Sequence, residues 1–108
     1  MLNVSNLLDQ VKAKLAGGYP AFDNVDFYCH LSFRGDKTGY DLDIERPEDN
    51  ELQLTLTEWV VVDEHFSRDD AACVLINDRD SSVLKGGNAD VSTLLRVLPR
   101  LIKDEDEA

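Results

Sequence analysis

Three carboxylates alternate with apolar residues in one short run, Asp41-Leu42-Asp43-Ile44-Glu45. In an extended chain, residues two apart share a face and lie about 6.8 Å apart. Such a row has three chemistries open to it: receiving the cations of a basic surface, acid–base work by a carboxylate pair, or holding a metal. Acid–base work needs a cleft and two unequal environments, and nothing in this spacing supplies them. Metal binding needs three or four converging ligands. Asp63-Glu64-His65 and the distant His30 are ligand types, but consecutive residues on an extended chain point apart. Docking of a basic surface is the reading that remains, beside a solvated sheet face kept soluble by its charge.

The other candidates are weaker. Asn77-Asp78-Arg79-Asp80 lacks the Gly at position six and the Glu at position twelve of a calcium loop. Cys29 neighbours His30, yet adjacent strand residues face opposite sides, so Cys29 belongs with Phe27 and Leu31 in the core. A Cys29–Cys73 disulfide remains open from sequence. Gly86-Gly87 reads as a helix entry, not an anion loop, because no GxGxxG or Walker pattern accompanies it. Arg34-Gly35-Asp36 reads as a hairpin loop. Trp59 is either core or an outward aromatic beside Thr57 and Val61; outward and flanked by acids, it is a natural hot spot for a partner. No nucleophile–base pair or metal set is present, so the expectation is a non-enzymatic protein with no cofactor and no metal.

Charge sharpens this. The chain has 108 residues and a formal net charge of -11. Residues 36–70 hold twelve acids and three bases, net -9. A field of that sign repels nucleic acid and anionic membranes and attracts basic protein surfaces. Apolar runs reach only Trp59–Val62 and Ala71–Ile76, far short of the roughly 20 residues of a membrane span. The N-terminal residues lack a basic segment followed by an apolar one, and the two cysteines form no CxxC. The expected location is the cytoplasm.

The elements that must position these residues follow from periodicity. Val4, Leu7, Leu8, Val11 and Leu15 predict a helix over 4–16, capped by Asn3 or Ser5 and stopped by Gly17-Gly18. Tyr19–Asn24 is a connector. Val25, Phe27, Cys29, Leu31 and Phe33 predict the inner side of a strand. Tyr40, Leu42, Ile44 and then Leu52, Leu54, Leu56 predict two more, with hairpins at 35–39 and 47–50. Asp26 and Glu51 share the outer face with the Asp41 row. Beyond Leu56 the alternation conflicts with Trp59, which predicts a bulge near Thr57–Glu58 or a strand covered on both faces. Ser67–Asp70 resembles a capping box opening a helix, whereas Cys73–Ile76 followed by Asn77–Ser81 and Ser82–Lys85 reads as a hairpin. Asn88 or Asp90 opens a last helix with the stripe Val91, Leu94, Leu95, Leu98 and Ile102. Pro99 should kink it or end its regular part, and Asp104–Ala108 forms an acidic tail expected to fray.

The expectation is one α+β domain over 1–103: an N-terminal helix, a three-stranded antiparallel meander extended by a second hairpin, and a C-terminal helix, with both helices on one face. Its expected role is an acidic binding module that docks a basic partner surface, a nucleic-acid-binding protein being one such partner, through Asp41, Asp43, Glu45, Glu48, Asp49, Glu51 and Trp59. The sharpest form is a nucleic-acid mimic of the phage-inhibitor type. The element order and acidity also resemble type III secretion chaperones. That resemblance implies a small dimeric chaperone for another protein's exposed segment. A domain whose charge serves only solubility is the remaining alternative, and oligomeric state is not legible.

Overall fold

The computed structural model describes residues 4–18, 22 and 24–107, and its account of side chains leaves out residues 16–18, 66 and 102–107. Asn3, the 19–21 connector, Asp23 and Ala108 lie outside that description, as does the side chain of Ile102. The order is α1 (Val4–Gly18), β1 (Tyr28–Arg34), β2 (Thr38–Glu45), β3 (Glu51–Val62), β4 (His65–Asn77), β5 (Ser82–Lys85) and α2 (Asn88–Glu107). The fold is α+β. The strands form one sheet in the order β1-β2-β3-β4-β5, each antiparallel to the next.

The even residues of β2 and β3 do what their alternation predicts. Leu42, Ile44, Leu52, Leu54 and Leu56 are fully buried. They join Cys29, Leu31, Val74 and Ile76 in one cluster with Leu7, Leu8, Val11 and Leu15 of α1 and Val91, Leu94, Val97, Leu98 and Leu101 of α2. Burying each large aliphatic side chain contributes about 1.5–3 kcal/mol before entropy is counted. The stripe of α2 sits slightly round from the expected one: Val97 and Leu101 are buried and Leu95 is only partly so.

Several expectations are corrected. Helix α1 continues through Gly17-Gly18, and Ser5 lies inside it rather than capping it. β1 begins at Tyr28, because Asp26 takes a positive φ of 75° and turns the chain just before it; Val25 is therefore exposed, not inward. Helix α2 runs on past Pro99. At its start Asp90 accepts a hydrogen bond from the Gly87 N–H at 2.9 Å, so it reaches back over the first turn as the acidic member of a capping box does.

The segment 67–77 is strand throughout. Val62 and His65 are paired, so Asp63 and Glu64 alone make the connection, at φ of 51° and 67°. Two successive positive φ values define the twisted hairpin turn that usually selects Asn-Gly. The bulge lies one step from its expected place, and on the other strand: Leu56 pairs Ala72 and Thr57 pairs Asp70, leaving Ala71 as the extra residue of β4. β2 and β3 pair without interruption from Thr38↔Val60 to Glu45↔Gln53.

Candidate functional site

That bulge decides what the second face of the sheet carries. Had β4 kept strict alternation, Asp69 would share a face with Cys73. The extra residue shifts the parity, so Arg68 and Asp70 stand beside Trp59 and Thr57 instead. Rows across the outer face then read Arg34–Gly39–Trp59–Arg68, Ser32–Asp41–Thr57–Asp70 and His30–Asp43–Thr55–Cys73.

Trp59 is buried at 5% exposure yet lies outside the core cluster. It lies across Gly39, where a β-carbon would overlap the indole ring. Only glycine leaves room there. The Arg34 guanidinium lies 5.5 Å from the ring centre, a cation–π distance. The sequence left Trp59 between core and exposed aromatic. It combines the two, lying on the outward side with Thr57 yet buried against its own sheet.

Asp41 is likewise 5% exposed, which corrects the expectation of a solvated row. Its Oδ1 is 3.3 Å from His30 Nε2 and its Oδ2 is 3.7 Å from an Arg68 nitrogen. Asp43 sits on the other side of the same imidazole. His30 Nδ1 is 2.8 Å from Asp43 Oδ1, and the Tyr28 hydroxyl donates to that oxygen at 2.6 Å. Partial burial pushes the Asp43 carboxyl up, but the hydrogen bonds from Tyr28 and His30 together outweigh it and hold the group below the ordinary carboxylate range. The same bond to Asp43 pushes the Tyr28 phenol up. The central acids are thus answered by Tyr28, His30 and Arg68. The acidic row alone could not reveal this, although alternation already put Tyr28 and His30 on that face.

The remaining expected residues gather at one end of the sheet. Glu45, Glu48 and Asp49 are exposed and Glu51 is half-buried. Asp26 and Glu45 line an open recess of about 180 Å³ with Phe27, Tyr28, Arg46 and Pro47. Behind it, Arg46 is 3% exposed. Its Nε donates to the Phe22 carbonyl at 2.9 Å, its Nη1 lies 3.0 Å from Asp78 Oδ2, and its guanidinium covers the Phe22 ring at 4.9 Å. This arginine fastens three chain segments together. It is a structural cation, and its charge is answered by Asp78.

Cys29 is buried on the inner face and Cys73 is exposed on the outer one, so no disulfide joins them. Among the described residues no group of three His, Cys, Asp or Glu side chains could hold a metal ion, and no helix is long and apolar enough to cross a membrane. Comparison with protein-family models, with curated proteins and with solved structures finds no match for this chain.

Proposed function

We propose that the protein is a non-enzymatic, acidic binding module whose outer sheet face docks a basic protein surface. In this reading the five strands form a meander whose inner face both helices cover, and the outer face is left to the partner. The supporting observation is the split among the carboxylates. Asp41 and Asp43 are engaged by groups of the same chain, whereas Asp26, Glu45, Glu48 and Asp49 stand exposed at the Arg46 end. These four are the contact acids. Asp41, Asp43 and Trp59 are taken up by contacts within the chain behind them. Carboxylates in such a cluster steer a basic partner at low ionic strength, and the attraction falls as salt is added. A nucleic-acid-binding protein is the partner class that carries such a surface, with the carboxylates standing in for phosphates. The setting is the cytoplasm.

Reversal of Asp41 is no test of this, because a lysine there would meet His30 and Arg68 inside a buried site. The test is Glu45→Lys with Glu48→Lys and Asp49→Lys. Proteins captured from lysate at low and moderate salt are compared between wild type and the triple variant. A basic protein held by wild type, released by salt and lost in the variant supports docking. Capture that ignores both salt and the three substitutions rejects it. An absence of any salt-sensitive basic partner points to solubility as the role of the charge.

A further inference from the structure

The two edges of the sheet are built differently. At one edge β5 pairs only Leu75, Ile76 and Asn77 of β4. The rest of β4 carries the devices that discourage strand addition: the Ala71 bulge and the exposed charges of Arg68, Asp69 and Asp70. At the other edge β1 runs from Tyr28 to Arg34 without proline, register shift or carboxylate, and no described strand pairs with its far side. A chain with 22 acids has thus left one seven-residue edge free of them.

The ladder sets which groups that edge presents. The Arg46 N–H donates to the Phe27 carbonyl at 3.2 Å, and the Gly35 N–H to the Thr38 carbonyl at 2.9 Å. With Leu31 opposite Leu42, the odd residues Cys29, Leu31 and Phe33 exchange hydrogen bonds with β2. The peptide groups of Tyr28, His30, Ser32 and Arg34 therefore point away from the sheet. Their side chains lie on the outer face, where Tyr28 is 58% exposed.

We propose that this edge pairs with β1 of a second copy of the chain, antiparallel about a two-fold axis at Leu31, so that the two sheets become one. This inference does not rest on the basic partner above, although both would lie against the Glu45 end of the face. The parity is right, because the residues that meet through hydrogen bonds are the even ones. Tyr28 then faces Arg34 of the second copy and His30 faces its Ser32, with no like charges opposed. Arg34 also approaches the Tyr28–Glu45 corner of the other copy, the acidic end of the same face. A shift of two residues either way sets His30 against His30, or His30 against Arg34. A basic strand from another protein would meet Arg34 and His30 here, with no carboxylate on β1 to receive it. Self-pairing of one patch is the usual closed arrangement of a dimer.

Sedimentation equilibrium from low to high micromolar concentration, at moderate salt, tests this on wild type, Ser32→Pro and Ser32→Lys. The Ser32 N–H points outward, so proline there spares the β1–β2 ladder while removing an edge donor. Lysine pairs with Asp41 across its own strands and opposes His30 of the second copy. Wild type is expected to sediment as a dimer, and each variant to weaken it by about tenfold or more, with the far-UV spectrum unchanged. If Ser32→Pro fails to fold, Ser32→Lys decides. A monomeric wild type, or a dimer indifferent to Ser32→Lys, overturns the proposal.

Discussion

The two faces of this one sheet bury their side chains by different physics. On the inner face, Leu42, Ile44, Leu54 and Leu56 reach zero exposure within one apolar cluster that also holds residues of α1 and α2. On the outer face, Asp41 and Trp59 reach 5%, and Trp59 does so outside the core cluster. Trp59 is covered because Gly39 lets it lie down, and Asp41 because His30 and Arg68 lean over it. The inner face depends on volume, and almost any apolar residue of the right size would serve. The outer face depends on particular partners, so a change of one atom type matters there.

The comparison is broken most severely from the inside. Leu54→Ala leaves a cavity among fully buried neighbours, and urea unfolding should show a loss of about 2–5 kcal/mol, with little change in the environment of Trp59. Gly39→Ala attacks the other face alone. The new methyl must lift the indole, so stability should fall by about 1–3 kcal/mol. Trp59 is the sole tryptophan, and its fluorescence in the native state should move to longer wavelength. If Gly39→Ala leaves the emission unchanged, the outer-face placement of Trp59 is wrong.

Glu64→Gly sharpens the picture at the far end of β3. Glu64 holds a left-handed conformation that costs a non-glycine residue about 1 kcal/mol. Removing the side chain should stabilise the protein by up to that amount in thermal unfolding. Tyr28→Phe is the mildest change and is best read by pH. Asp43 titrates below its unfolded value, so its contribution to stability is present above about pH 4 and is lost as pH falls through the folded value. Without the Tyr28 hydroxyl that contribution shrinks. The acid-unfolding midpoint should move to higher pH, and Asp43 should titrate higher by NMR.

Much of the frame was legible because period two is hard to mistake. The inner residues of β2 and β3 and both helices follow from alternation or helical spacing, and the β5 segment from the turn signal at Asn77–Ser81. What was not legible depends on partners distant in sequence. Asp63-Glu64 carries no turn signature, so the hairpin was masked by Ser67–Asp70, which imitates a helix start. The bulge at Ala71 is set by how β4 lies on β3, and without it Arg68 cannot be placed next to Asp41. His30 and Asp43 are thirteen residues apart and meet only when β1 pairs with β2. Arg46 counted as one base among few, and only the folded chain reveals it as a buried fastening. The acidic row was visible as charge, while its division into engaged and exposed carboxylates required the three-dimensional arrangement.

That division is most directly tested by comparing two variants against one partner. Glu45→Lys/Glu48→Lys/Asp49→Lys alters only exposed acids, and Asp41→Asn alters only an engaged one. Binding of the salt-sensitive partner captured by wild type should be lost in the triple variant, with its melting temperature nearly unchanged. Asp41→Asn should lower the melting temperature while the folded protein still binds. The reverse pattern, with binding retained by the triple variant and lost in folded Asp41→Asn, would contradict the account.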